Sequence, residues 1–167
     1  MLSVAVTEAR AAELDWEQVY ADEHDRLFGL AMVISRSPED AADAVQSAFE
    51  KAFRARHRIQ ADLPYAAFLA RITVNEAISV ARRRRIIRWL ALSGDMPAEG
   101  SAETSDVILV RMAVKRLSPK HRAVVGLFYL CGYPLEEVSA ILGIPSGTVA
   151  SRLHHARHVL RQLMAVR

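Results

Sequence analysis

The chain has 167 residues, of which 51% are hydrophobic, 7 are glycine and 6 are proline. This length allows one ordinary domain or two small ones, and this composition favours helices. No run of residues alternates between apolar and polar as a half-buried strand would. The single cysteine, Cys131, excludes an internal disulfide and fits a reducing compartment.

The charge and the N-terminus narrow the class of protein further. The first residues include Glu8, Arg10 and Glu13, so we expect no signal peptide. No apolar segment reaches the roughly 18 residues of a membrane span, so we expect a cytoplasmic protein without membrane insertion. The net charge is only +3, but five arginines cluster at 82–85 and 88. Such a cluster either attracts phosphate polymers and acidic surfaces or is solvated on a helix face.

Helix-start patterns predict the elements of the front half. Asp15 is a plausible N-cap for a first helix with apolar residues at helical spacing from Trp16 to Ile34. Ser37-Pro38-Glu39-Asp40 predicts a second start, because serine caps, proline suits the first turn and acids favour the positive dipole end. Residues 57–63 are predicted to form a loop, and Pro64 opens a third helix that runs into the arginines.

The second predicted helix has two different faces. One is an apolar stripe that we expect to be buried, consisting of Val45, Ala48, Phe49, Ala52 and Phe53. The other is polar and carries Asp43, Gln46, Ser47 and Glu50. A polar face beside an apolar stripe suits a partner helix, and simple solvation is the alternative.

A change of composition separates the two halves of the chain. Residues 91–105 contain Gly94, Pro97, Gly100 and small polar residues, which predicts a flexible linker. Helices then resume, with starts predicted near Ser105 and at Ser118-Pro119, the latter helix running to about Cys131 and ending at Gly132. We therefore predict an all-α fold of two small helical domains, 1–90 and 106–167, joined by the linker 91–105.

The last part of the chain predicts a helix-turn-helix. A short amphipathic helix follows Pro134, Gly143 closes it, and a longer helix begins at Ser146 with an apolar stripe from Val149 to Leu163. In this layout the second helix enters the DNA major groove, and small Ala140 is expected where the two helices cross. The opposite face of the second helix presents Thr148, Ser151, Arg152, His154 and His155. An ordinary helical hairpin with a solvated face is the alternative.

These residues resemble a known family. The stretch Leu135 to Arg157, with its pattern GTVxSRLHxAR, resembles region 4 of the extracytoplasmic-function (ECF) sigma factors, group 4 of the bacterial primary-sigma-related family, which have regions 2 and 4 only. Residues 37–49 are similar to region 2.2 of that family, and residues 68–75 with the following arginines to regions 2.3 and 2.4. The resemblance covers about residues 16–164.

The resemblance implies partners and residue roles. Region 2 would bind the β′ clamp helices of core RNA polymerase through Asp40, Asp43, Gln46 and Glu50. It would bind the −10 element of promoter DNA through Arg58, Asp62, Arg71, Asn75, Arg82 and Arg83, although Asn75 could equally be a surface amide. Region 4 would contact the β flap and bind the −35 element through Ser146, Gly147, Thr148, Ser151, Arg152, His154, His155 and Arg157. An anti-sigma factor is a further implied partner.

Four positions depart from the family pattern. Ala150 stands where the family often has Lys or Arg, and His155 where it often has Arg, so cationic charge is lost at neutral pH. Phe68 replaces a common Trp and Ser79 a common Asp. The first two changes predict a −35 contact that is weaker or has a different specificity.

Two other function classes remain to be weighed against a sigma factor. An autonomous helix-turn-helix regulator would need a ligand or dimerisation domain in front, where residues 15–90 instead resemble region 2. An enzyme is not expected, because the sequence has no phosphate-binding glycine loop, zinc motif or nucleophile motif. His154 and His158 are four residues apart, but no cysteine or acid nearby completes a metal site, so we expect neither metal nor cofactor.

Overall fold

The computed structural model describes residues 15–56, 64–90 and 105–165, and these residues form helices without any strand. The front half contains α1 (Trp16–Ser35), α2 (Pro38–Arg54) and α3 (Tyr65–Leu90). The back half contains α4 (Ser105–Arg116), α5 (Pro119–Val125), a π-helical turn (Gly126–Leu130), α6 (Leu135–Leu142) and α7 (Ser146–Ala165). The predicted all-α class is confirmed. None of these helices is both long and apolar enough to span a membrane. The predicted linker lies, except for Ser105, outside the described residues.

The predicted helix starts are formed by side-chain caps. The Asp15 carboxylate accepts hydrogen bonds from the backbone amides of Glu17 and Gln18, at 3.1 and 3.3 Å. Ser37 Oγ accepts from the amide of Asp40 at 3.3 Å, with Pro38 in the first turn. Ser118 caps α5 in the same way, accepting from the amide of His121 at 3.4 Å. Each cap satisfies a backbone donor that the helix itself leaves without a partner.

The three front helices pack around a shared apolar core. Its largest side chains are almost completely buried: Leu27, Leu30, Ile34, Val45, Leu69 and Val74. The expectation that Phe53 belongs to this core is wrong, because 46% of its surface is exposed. Phe53 lies at the end of α2, where its ring packs edge-on against Trp16 at 5.5 Å and beneath the Arg56 guanidinium at 4.3 Å.

A polar contact joins α2 to α3 beside this core. Glu76 of α3 accepts hydrogen bonds from Ser47 Oγ at 2.9 Å and from Lys51 Nζ at 2.5 Å. Burial acts to raise the pKa of the Glu76 carboxyl, but the hydrogen bonds from Lys51 and Ser47 outweigh burial and lower it. The ionised form of Glu76 therefore stabilises the packing of α2 on α3.

The back half packs against α1 through a close backbone approach. Gly126 is buried, and a Cβ atom at this position would lie 2.6 Å from Leu30 Cδ1. Nearby, Arg26 Nη1 donates to Tyr133 Oη at 2.9 Å, and the guanidinium lies 5.2 Å from the centre of that ring. Burial acts to lower the pKa of Arg26, and its hydrogen bonds to Tyr133 and Glu23 raise it overall. Residues of both halves consequently share one apolar core.

The π-helical turn was not predicted. We expected a regular helix from Ser118 to about Cys131, but the amide of Cys131 donates to the carbonyl of Gly126 at 2.9 Å, five residues back. The turn keeps Gly126 and Leu127 buried, while Tyr129 and Leu130 are more than half exposed. The predicted stop at Gly132 is consistent with its φ of 72°. The widened turn lies where the chain packs against α1, and a tertiary contact of this kind cannot be predicted from helix periodicity.

Gly126→Ala is expected to destabilise the protein by about 1–3 kcal/mol, because Leu30 is fully buried and has no room to move away from the new methyl group. The free energy of unfolding of the full chain, from denaturant titration, measures this. Gly147→Ala is the matched control, since nothing lies within 4 Å of its added Cβ. Equal losses in the two variants would contradict a steric origin.

Glu76→Gln is expected to lower the free energy of unfolding at pH 7 by about 1 kcal/mol, because it removes the charge that Lys51 and Ser47 bind. Since the folded pKa of Glu76 is lowered, its contribution is complete above the ordinary carboxyl value and is lost as pH falls through the folded value. The difference in unfolding free energy between Glu76→Gln and the wild type should therefore disappear in acid. Asp43→Asn, at an exposed acid of α2 beyond its first turn, should show no such difference at either pH. A difference that is independent of pH would contradict this account.

Candidate nucleic-acid interface

α6, the connection 143–145 and α7 form the predicted helix-turn-helix. Gly143 ends α6 in the left-handed conformation, with φ 63°, which glycine adopts without steric cost. Ser139 Oγ donates to the carbonyl of Ile144 at 2.6 Å and ties the turn to α6. The expectation that Ala140 fills the helix crossing is wrong, because Ala140 is exposed. The side chains buried here are Val138, Ile141, Val149 and Leu153.

The first twelve residues of α7 contain all the predicted −35 residues. Ser146, Gly147, Ser151, His154, His155 and Arg157 are exposed, and Thr148 and Arg152 are half-buried. Ser151 Oγ donates to the carbonyl of Thr148 at 3.0 Å. Arg157 Nη1 donates to Tyr129 Oη at a long 3.5 Å. Around a buried stripe of Val149, Leu153 and Ala156, this surface offers hydroxyl, imidazole and guanidinium groups, which are the groups that read base edges.

One residue of this surface was missed by sequence reasoning. His121 of α5 lies beside the recognition helix, with its ring centre 4.8 Å from that of His155. Burial lowers the pKa of His121, and the neighbouring His155 and Arg152 lower it further. The two histidines are far apart in the chain and on different helices, so no local spacing pattern could have paired them.

The predicted −10 residues that the structure describes lie along α3. Arg71, Asn75, Arg82 and Arg83 are exposed. At about 100° per residue, Arg71, Asn75 and Arg82 fall within about 40° of one another around the helix axis. The Arg71 guanidinium ends 3.5 Å from where a Cβ on Gly143 would lie, so this face of α3 borders the turn of the helix-turn-helix. Arg58 and Asp62 lie outside the described residues.

The predicted polymerase-binding residues lie on α2. Asp43, Gln46 and Glu50 are exposed, and Gln46 Nε2 donates to Glu50 Oε1 at 3.2 Å. Asp40 differs from them, because only 17% of its side chain is exposed and it accepts a hydrogen bond from Arg84 Nη1 at 2.7 Å. The arginine cluster is therefore divided: Arg84 turns back to α2, whereas Arg82 and Arg83 face outward.

Within the described residues, no three His, Cys, Asp or Glu side chains lie close enough together to hold a metal ion. The thiol of Cys131 is partly buried, and burial raises its pKa. A raised pKa keeps the thiol protonated and lowers its reactivity.

Comparison with known proteins matches both halves of the chain. The family model described as Sigma-70 region 2 matches residues 19–86, and that described as Sigma-70, region 4 matches residues 108–160. The ECF RNA polymerase sigma factor SigE of Mycolicibacterium smegmatis is 34% identical over 93% of this chain, which spans 64% of the length of SigE. SigL of Mycobacterium tuberculosis is 31% identical, with 93% of each chain covered.

Solved structures agree with these sequence matches. The sigma factor RpoE of Bartonella quintana, in complex with the anti-sigma factor NepR, superposes with a TM-score of 0.74 and 26% identity over 91% of this chain and 98% of RpoE. CnrH, in complex with the cytosolic domain of CnrY, shares the fold with a TM-score of 0.72 and 24% identity over 98% of each chain. With a region 2 match, a region 4 match and relatives of this similarity, the chain belongs to the family of ECF RNA polymerase sigma factors.

Proposed function

We propose that this chain directs core RNA polymerase to specific promoters and aids promoter opening. The observation that carries the proposal is the exposed polar and cationic face of α7, supported by a buried apolar stripe, in a chain that also carries region 2 of a sigma factor. In this proposal residues 1–90 act as region 2, residues 91–105 as the linker and residues 106–167 as region 4.

Recognition of the −35 element is assigned to α7. Ser151, Arg152, His154 and His155 would contact base edges in the major groove. The backbone amides of Ser146 and Gly147, together with Arg157, would hold phosphates and set the register, whereas the amide of Thr148 already donates to the carbonyl of Pro145 at 2.9 Å. The exposure of Ser151, His154, His155 and Arg157 supports the assignment.

Recognition of the −10 element is assigned to α3 and to the segment before it. Arg71, Asn75 and Arg82 share one exposed side of α3, which forms a basic track of the kind that binds a single strand. Arg83 would add a contact to the adjacent duplex. Arg58 and Asp62 would receive an unpaired base in the segment 57–63.

Binding to the polymerase is assigned to the polar face of α2, through Asp43, Gln46 and Glu50 on the β′ clamp helices. Their exposure beside a buried stripe supports this role. Asp40 would contribute less directly, because it already pairs with Arg84. Region 4 would contact the β flap.

We further propose that the protein works in the cytoplasm, where the polymerase transcribes, and that it carries no catalytic chemistry of its own. Control by an anti-sigma factor is proposed as well. Its support is the likeness to RpoE, which was solved in complex with the anti-sigma factor NepR.

Binding of the purified chain to bacterial core polymerase, followed by run-off transcription from a genomic DNA library, tests the proposal. Tight binding and transcripts whose promoters share two spaced motifs are expected. Absence of binding by a chain shown to be free of anti-sigma factor would contradict the proposal and favour an autonomous regulator.

A double change of Asp43 and Gln46 to Ala is expected to weaken binding to core polymerase at least several-fold while leaving the unfolding free energy unchanged within about 0.5 kcal/mol, because both side chains are exposed. The matched control changes Asp22 and Gln18 of α1 to Ala, a hydrogen-bonded exposed pair of the same residue types. Competition binding to core measures the effect. Equal affinity of the two double variants would remove α2 from the interface.

Arg152→Ala is expected to weaken −35 binding by about 1–3 kcal/mol and to relax sequence preference if Arg152 reads a base edge. Arg116→Ala is the control, since Arg116 is an exposed arginine of α4 that is not assigned to the DNA interface. Affinity for the selected promoter and for single-base variants of its −35 element measures both effects. A uniform loss across all variants would assign Arg152 to the phosphate backbone instead.

A further inference from the structure

His121 and His155 form a pair of imidazoles at the edge of the −35 surface. Their ring centres are 4.8 Å apart, with the ring planes tilted by 53°. His155 lies on the exposed side of α7, and His121 reaches it from the first turn of α5. Arg152 of α7 is near enough to act electrostatically on His121.

The ring of His121 is fixed by the cap of its own helix. Ser118 Oγ lies 2.7 Å from His121 Nδ1 and also accepts the backbone amide of His121 at 3.4 Å. While Ser118 Oγ accepts from this amide, its hydroxyl hydrogen is free to be donated to His121 Nδ1. The hydrogen of the neutral imidazole is then on Nε2. The ring is thereby held against His155 rather than free to rotate into solvent.

The surroundings of His121 favour its neutral form in the absence of DNA. The two groups that act on His121 electrostatically, Arg152 and His155, are cationic or become cationic on protonation, and both lie on α7. Burial acts in the same direction, so protonation of His121 is disfavoured in the free protein.

We propose that His121 and His155 act as one unit of the −35 interface, in which His121 positions His155 and DNA phosphate stabilises one proton taken up by the pair. This inference rests on the proposed function of the chain. Because a polyanion offsets the repulsion between the two rings, DNA binding takes up protons. Affinity for the −35 element therefore strengthens as pH falls from about 7.5 to 6, the range in which histidine titrates.

The test uses holoenzyme reconstituted with the full chain, and as probe the promoter fragment that the wild-type holoenzyme transcribes at pH 7.5. Affinity is measured between pH 7.5 and 6.0 at constant ionic strength, with the same fragment carrying a scrambled −35 element as reference. The −35-dependent affinity of the wild type is expected to rise about fivefold on acidification, as uptake of about half a proton on average over this pH range gives.

Variants separate the pair from other titrating groups. His155→Gln and His121→Gln should each flatten the pH profile, and the double variant should be no flatter than either, since the two rings act together. His155→Arg should bind well at pH 7.5 and show little pH dependence, because its charge is permanent.

The control variants change histidines outside the pair. His24→Gln, in α1 beside Asp25, should keep the wild-type pH dependence. His158→Gln, which removes an exposed imidazole of α7 that is not assigned to the interface, should keep it too.

The outcomes are distinguishable. The inference would be overturned if the −35-dependent affinity of the wild type did not change with pH, or if His121→Gln kept the wild-type pH dependence. Neither result would affect promoter-specific transcription. Failure of the wild-type holoenzyme to transcribe any promoter selectively would instead overturn the proposed function. Thermal unfolding at pH 7.5 checks that each variant is folded, and a change in stability alone would not produce a change in the pH slope.

Discussion

The burial of one side of α7 is the constraint on which the functional surface depends. Val149 is completely buried and Leu153 is 2% exposed, packed with Val138 and Ile141 of the preceding helix. Because side chains in a helix are fixed relative to one another, burying this stripe also fixes which residues face outward. Ser151, His154 and His155 are presented to solvent by packing, and a substitution in the stripe would displace them together.

Some charged side chains of α2 and α3 form ion pairs between the two helices, and others are exposed to solvent. Arg84 pairs with Asp40 and Lys51 with Glu76, so part of the polar sequence of α2 and α3 serves to join these two helices. Arg82 and Arg83 stay exposed on the same helix, as does Asn75. A cluster of arginines that reads as one basic patch in the sequence therefore has two uses, which only the tertiary contacts distinguish.

Local features of the fold could be predicted from the sequence, and contacts between distant segments could not. The caps at Asp15, Ser37 and Ser118 depend on residues two or three positions away, and the helix-turn-helix depends on a short run of apolar spacing closed by Gly143. By contrast, the exposure of Phe53 depends on where α2 ends in the packed structure, and the exposure of Ala140 depends on where α6 crosses α7. The π-helical turn at Gly126 and the pairing of His121 with His155 require knowledge of which helices meet.

The central claim is that α7 reads the −35 element while α3 reads the −10 element of the same promoter. Site-specific photo-crosslinking within the holoenzyme on a promoter fragment tests it most directly, with the crosslinker placed at Ser151 or at Asn75, which are both exposed. Crosslinks are predicted from position 151 at the −35 element and from position 75 at the −10 element, with none from position 25 of α1, which is also exposed. Crosslinks from positions 151 and 75 to the same element, or DNA contact only from position 25, would contradict this claim.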